Sequence, residues 1–124
     1  PRTSLAGVLE KAGGQEPFAV PAKVLEAARA GRFGRWRDPA LGSVPVGFLT
    51  DGDTTGGNSG SPTMNGRGEV VGLNFDRVWE NVAGDFGWRP ERSRNVNVDL
   101  RYALWMMEEV DGAAHLVKEL LPAK

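Results

Sequence analysis

The chain has 124 residues, 40% of them hydrophobic and 25% charged, with a formal net charge of -1, which fits one small globular domain or a piece of a larger one. That balance excludes a general electrostatic pull toward nucleic acid or an anionic membrane. The absence of cysteine excludes a disulfide framework and a thiolate metal site, and no apolar run approaches the roughly 20 residues of a bilayer span.

The chain opens at Pro1-Arg2-Thr3 without an initiator methionine or a signal peptide, so it reads as an internal piece of a longer polypeptide. Residues 4–10 predict a strand, broken at Gly13-Gly14. Pro21 suits the first position of a helix running to about Gly31, with Val24, Leu25 and Ala28 on one face. Residues 32–45 are irregular and basic, and 46–50 form a short apolar strand. A serine-containing loop follows at about 51–61. Residues 63–64 and 70–75 then pair as a hairpin across Asn65-Gly66-Arg67-Gly68, on the strength of Asn-Gly as a hairpin signal. Residues 76–92 are a long loop holding Trp79, Trp88 and Pro90, and 95–98 a strand. Leu100, Ala103, Leu104 and Met107 repeat at helical spacing, predicting a helix over about 99–110. Asp111-Gly112 interrupts it, and a second short helix over about 113–121 ends at Pro122. The fold class is mainly β with C-terminal helices: strands and loops with a short helix over about 1–98, closing helices over about 99–124.

The run Gly56-Gly57-Asn58-Ser59-Gly60-Ser61-Pro62 carries the chemistry. A serine that attacks a carbonyl needs an exposed hydroxyl on a tight turn and backbone N–H groups aimed at the forming oxyanion. Glycines on both sides permit that approach, and Pro62 ends the turn before a strand. Ser59 is therefore the candidate nucleophile. A nucleophile also needs a base, and the only histidine, His115, falls in the last helix, where it reads as a surface or capping residue. Other readings of the loop fail on their own requirements. A phosphate loop lacks its Gly-Lys-Ser/Thr ending. A calcium loop has Asp51, Asp53, Thr55 and Gly56 in place but Pro62 where a bidentate glutamate belongs. An α/β-hydrolase elbow needs a helix after the serine, where this chain predicts a strand. From these residues alone, a plain glycine-rich turn stays open beside the nucleophile reading.

The basic segment Arg29, Arg32, Arg35 and Arg37 with Phe33 and Trp36 matches no nucleic-acid motif and reads as a solvated loop. Trp79, Trp88 and Trp105 read as packing residues.

The functional reading that fits best is a chymotrypsin-like double β-barrel, in which the nucleophile loop precedes a hairpin of the second barrel. Residues 51–76 read DGDTTGGNSGSPTMNGRGEVVGLNFD, 75–86 read FDRVWENVAGDF, and 94–108 read RNVNVDLRYALWMME. Together with EKAGGQEPFAVPAKVLEAARAGRFGRW over 10–36, these stretches resemble the bacterial dipeptidyl peptidases of serine peptidase family forty-six. The resemblance covers nearly the whole chain. It implies the C-terminal part of a peptidase domain, holding most of the second barrel.

The resemblance implies that Ser59 is the nucleophile and that the N–H groups of Gly57 and Ser59 form the oxyanion hole. Asn58 replaces the aspartate of zymogen-activated enzymes. Asp76 is matched to the carboxylate that anchors the substrate's free amine, a charge-assisted pair. By its residue type alone it could equally cap a strand end. Arg77, eighteen residues after Ser59, is matched to the S1 residue of members that take Asp or Glu at P1, where a guanidinium holds a carboxylate bidentately. A surface pair with Glu80 is the plainer reading. Asp53, six residues before Ser59, occupies the trypsin-like S1 base, but the resemblance makes it a structural acceptor for the serine loop. The catalytic histidine and aspartate are expected outside this chain, which alone is expected to be inactive. No metal or cofactor is implied. The implied partner is a peptide with a free N-terminus, and the implied setting a homodimer in the periplasm or at the cell surface of a Gram-negative bacterium. Two other classes remain: a glutamyl or trypsin-like endopeptidase piece, and a noncatalytic peptide-binding domain on a peptidase scaffold.

Overall fold

A computed structural model describes residues 1–81 and 86–121. The predicted loop over 76–92 lies partly, and Pro122 wholly, outside the described residues. The chain is mainly antiparallel sheet with C-terminal helices, and it divides into two compact units. One comprises Pro1–Arg2 and Gly47–Leu100, the other Thr3–Val46 and Arg101–Lys124.

The first unit is built on the sheet, with strand order β1-β2-β5-β4-β3. The strands are β1 (Arg2–Ser4), β2 (Pro45–Thr50), β3 (Pro62–Met64), β4 (Val70–Arg77) and β5 (Asn95–Asp99). Pro62 opens β3, a position where a missing N–H does no harm. The β3–β4 hairpin forms as predicted, with Thr63 opposite Gly72 and Met64 opposite Val70. Its connection works differently from the Asn-Gly expectation. The left-handed residue is Gly68, at φ 77°, and Asn65 closes the loop instead. Asn65 Oδ1 accepts from the N–H groups of Arg67 (2.9 Å) and Glu69 (3.1 Å), while its own N–H donates to Glu69 O (3.0 Å). This is a type I turn followed by a glycine bulge rather than a two-residue primed turn. Gly72 is required for a different reason. A Cβ there would lie 2.7 Å from the Phe48 ring and 2.6 Å from Val98 O.

β5 reads Asn-Val-Asn-Val-Asp, and its polar residues face inward. Asn95, Asn97 and Asp99 are buried, whereas Val96 and Val98 are half-buried. Burying amides is tolerable only when they are hydrogen-bonded. Asn97 Nδ2 donates to Thr50 Oγ1 (3.0 Å), and Asn97 Oδ1 accepts from Thr63 Oγ1 (2.7 Å). One central side chain thus ties β2 to β3 across the sheet face.

The second unit is helical and holds every buried apolar side chain of the described residues: Leu5, Val24, Ala27, Ala28, Trp36, Val44, Pro45, Leu104, Trp105 and Val117. Its first element corrects an expectation. The strand predicted over 4–10 is instead the helix α1 (Leu5–Lys11). Leu5, Val8 and Leu9 fall at i, i+3 and i+4, the helical spacing. Two of its free N-terminal N–H groups find tertiary acceptors, Leu5 N–H on Val44 O (2.9 Å) and Ala6 N–H on Ser43 Oγ (3.3 Å). Helix α2 (Ala22–Arg29) follows Pro21, which is its N-cap rather than its first turn. It ends in a Schellman arrangement, with Gly31 at φ 66° and Arg32 N–H reaching Ala27 O at 3.0 Å. α3 (Leu100–Trp105) continues into a π-helical turn, Met106–Val110, and α4 (Ala114–Leu120) closes the described chain.

The four arginines of the basic segment are exposed, as the sequence implies, but the segment is anchored through Arg35 and Trp36. Arg35 grips Glu108 through Nε (3.2 Å) and Nη2 (2.9 Å), and the buried Trp36 donates its indole N–H to the same carboxylate at 2.6 Å. Trp105 is fully buried and donates to Arg32 O at 2.6 Å. Trp79 and Trp88, expected to pack, are 84% and 43% exposed. No helix of the described residues is long and apolar enough to cross a membrane.

Candidate active site

Ser59 sits on the second of two consecutive tight turns. In the first, Asn58 N–H donates to Thr55 O (3.2 Å), with Gly57 at φ 98°. In the second, Ser61 N–H donates to Asn58 O (3.0 Å), with Gly60 at φ 86°. Each glycine holds the position that a type II turn reserves for a left-handed residue. Asn58 reinforces the first turn by accepting from Thr55 N–H on its own side chain at 2.8 Å. Ser59 is exposed. Neither its backbone N–H nor that of Gly57 donates to any acceptor among the described residues.

The serine turn is clamped to β4 by one residue, Asn74. Gly60 N–H donates to Asn74 O (2.7 Å), Asn74 N–H to Ser61 O (2.9 Å), and Asn74 Nδ2 to Asn58 O (3.2 Å). These three bonds bracket Ser59 on both sides without touching it. The other side-chain atom, Asn74 Oδ1, is buried with no partner among the described residues.

β4 then departs from regular pairing. Asn74 lies opposite Asn97, but Asp76 lies opposite Val96 and Arg77 opposite Asn95, leaving Phe75 as the extra residue of a bulge. Side chains opposite one another share a sheet face. The bulge therefore returns Arg77 to the face that carries Asn74, Asn97 and Asn95. There Arg77 Nη1 donates to Thr54 O at 3.3 Å. Asp76 is exposed, and its Oδ1 accepts from Arg77 N–H at 2.7 Å.

The result is a single cleft of about 190 Å³ lined by Thr54, Ser59, Asn74, Phe75, Asp76 and Arg77, among others. The predicted Ser59, Asp76 and Arg77 are brought together. Asp53 is not in the lining, is exposed, and accepts no hydrogen bond among the described residues. The loop is held by Asn95 instead, whose Nδ2 donates to Gly52 O (2.8 Å) and whose Oδ1 accepts from Thr54 Oγ1 (2.5 Å). His115 is exposed on α4. Sequence reasoning missed Asn74, Asn95 and Asn97. The alternation of β5 was the one signal for Asn95 and Asn97, and alternation does not say which face is buried; Asn74, on β4, had none.

The sequence profile described as Peptidase S46 matches residues 1–122. The chain belongs to the peptidase S46 family. Within S46, it is 45% identical over 141 residues to an Asp/Glu-specific dipeptidyl-peptidase of Shewanella putrefaciens, covering 97% of this chain and 19% of that protein. It is 44% identical over 119 residues to dipeptidyl-peptidase 7 of Phocaeicola vulgatus, covering 95% and 16% respectively. The crystal structure of Porphyromonas endodontalis DPP11 in complex with the dipeptide Arg-Asp matches with a TM-score of 0.92 at 40% identity, over 98% of this chain and 18% of that one. The chain thus spans less than a fifth of the length of these S46 proteins. Identities of 45% and 44% to differently named peptidases do not separate one specificity from another, so specificity must be argued from the cleft.

Proposed function

We propose that this chain is the nucleophile-bearing, C-terminal part of a longer serine exopeptidase that removes dipeptides from free N-termini after Asp or Glu. The observation that carries the reading is the shared cleft: an exposed Ser59, an exposed carboxylate on Asp76 and the guanidinium of Arg77 line one cavity. Each has a distinct task. Ser59 Oγ attacks the scissile carbonyl. The N–H groups of Gly57 and Ser59 receive the developing oxyanion, where loss of one donor typically costs about 3 kcal/mol of transition-state stabilisation. Asp76 pairs with the substrate ammonium and so fixes the distance from amine to scissile bond. Arg77 holds the P1 carboxylate.

The base that takes the Ser59 proton, and the carboxylate that orients it, come from the rest of the longer protein, where the chain forms most of the second barrel of a chymotrypsin-like pair. Acylation releases the shortened peptide, and water then releases the dipeptide. None of these steps calls for a metal or cofactor. Without the base, this chain alone retains at most the contribution of the oxyanion donors and binding. The proposed setting is a periplasmic or cell-surface homodimer.

The test uses the longer protein, its Ser59→Ala variant, and dipeptide reporters ending in Asp, Glu, Arg or Leu with free or blocked amines. Release after acidic residues only, dependent on a free amine and on Ser59, is the expected outcome. Release after Arg would give the S1 pocket to Asp53, and equal cleavage of blocked substrates would make the protein an endopeptidase. No release at all would favour a binding domain on a peptidase scaffold.

A further inference from the structure

We infer that Asn95 is a positioning residue for substrate selection, holding Thr54 so that its carbonyl aims the Arg77 guanidinium into the cleft. This rests on the acidic-P1 reading above and extends it to a residue that touches no substrate. Arg77 is a long side chain on a strand end, and a bidentate grip on a carboxylate demands that its planar fork be held in one orientation. One contact that orients it is Thr54 O, 3.3 Å from Nη1. Thr54 lies in a segment with no regular structure of its own.

Asn95 supplies the missing rigidity. It sits on the central strand β5 directly opposite Arg77 and is only 2% exposed. Its amide engages the loop at two points, donating to Gly52 O at 2.8 Å and accepting from Thr54 Oγ1 at 2.5 Å. Gly52 is pressed close enough that a Cβ would stand 3.1 Å from Asn95 Nδ2. Loop, amide and guanidinium thus form a relay: Asn95 fixes Thr54, and Thr54 fixes Arg77.

The relay meets the nucleophile turn at one peptide group, since the Thr54 carbonyl that accepts from Arg77 and the Thr55 N–H that donates to Asn58 Oδ1 belong to the same peptide. Ser59 is bracketed by Asn74, and its two turns close through Thr55, Asn58 and Ser61. Cutting the Asn95 bonds removes one hold on Thr54, and through it on Arg77, while the Asn74 bonds to the serine turn stay in place. A general structural role would instead lower turnover of every substrate alike.

The experiment compares Asn95→Ala and Thr54→Val with the unaltered longer protein, using free-amine dipeptide reporters ending in Asp, Glu and Leu. Thr54→Val removes the hydroxyl while keeping shape and carbonyl, so it carries the test if Asn95→Ala fails to fold. Labelling of Ser59 by a small fluorophosphonate reports whether the nucleophile turn is formed. The expected result is a drop of about tenfold in the acidic-to-apolar ratio of kcat/KM, carried by KM for the acidic reporters. An equal fall for all three reporters, or an unchanged ratio in a labelled variant, overturns the inference. Arg77→Gly runs alongside. If it leaves the ratio intact, the acidic-P1 reading itself falls and takes the relay with it. If it collapses the ratio while the Asn95 and Thr54 variants do not, only the relay falls.

Discussion

Asn74 and Arg77 share one face of the sheet although their positions on β4 differ by an odd number, three. Regular alternation would put them on opposite faces. The bulge at Phe75 restores the match, so the residue that clamps the nucleophile and the residue proposed to read P1 converge on one cleft. Deleting Phe75 should remove the bulge but leave Asp76 opposite Val96 and Arg77 opposite Asn95, so Arg77 keeps its face. The expected change in kcat/KM for acidic-P1 reporters is within about tenfold, because register and face are retained. A loss of about 100-fold or more would mean that the bulge itself, rather than the face it restores, sets the site.

Asn74 should affect rate without much affecting stability. Its Nδ2–Asn58 bond is worth about 1 kcal/mol, but its buried Oδ1 without a partner carries a penalty of about 1–3 kcal/mol that truncation removes. The two nearly offset. Asn74→Ala should therefore leave the thermal midpoint within a few degrees while kcat drops about tenfold for acidic and apolar reporters alike. A drop confined to acidic reporters would assign Asn74 to the P1 pocket instead of the nucleophile turn.

Gly60 tests the turn from its other side. Nothing lies within 4 Å of a Cβ placed there, so crowding is no obstacle, but its φ of 86° is one that L-residues rarely adopt. Gly60→Ala should cost about 1–2 kcal/mol and slow fluorophosphonate labelling of Ser59. Gly56→Ala, at a position with open space and no positive φ, is the control and should label normally.

In the helical unit, Asp38 supplies a pH signature. Arg101 Nη1 donates to its carboxylate at 2.9 Å, and the N–H groups of Ala40 and Leu41 donate as well. The Arg101 hydrogen bond, with help from the two backbone bonds and against partial burial, holds the Asp38 carboxyl below its ordinary 3.8. A carboxylate lowered by folding contributes stability above its unfolded value and loses it as the pH falls through its lower folded value. Asp38→Asn should thus weaken the protein at pH 7 and flatten the acid limb below about pH 4. Urea midpoints across that range decide it, and an unchanged acid limb would remove Asp38 from the account.

Much of this was legible in the residues. The hairpin, β2, β5, α2 and the closing helices announce themselves through periodicity and breakers, and the glycine run marks Ser59 as a turn residue. α1 was misread because Ser-Leu-Ala-Gly-Val-Leu is too short to separate a period of two from one of 3.6, and only its contacts with Ser43 and Val44 decide. The inward asparagines of β5 defeat the usual rule that valine points to the core. The Phe75 bulge has no local sequence mark at all, since it arises from the pairing of β4 with β5. Asp76 and Arg77 were nominated by resemblance, and their meeting with Ser59 in one cleft became visible only once that bulge was in place.

The inverted burial of β5 has a thermal consequence. The heat-capacity change of unfolding rises with exposed hydrocarbon and falls with exposed amide and hydroxyl. Among the described residues of the sheet unit the buried side chains are Asn74, Asn81, Ser93, Asn95, Asn97 and Asp99, so its opening carries a smaller heat-capacity change for its size than that of an apolar core. Its grip on Ser59 should vary only shallowly between cold and warm, whereas the leucine- and tryptophan-filled helical unit follows the steeper curvature of an oily core.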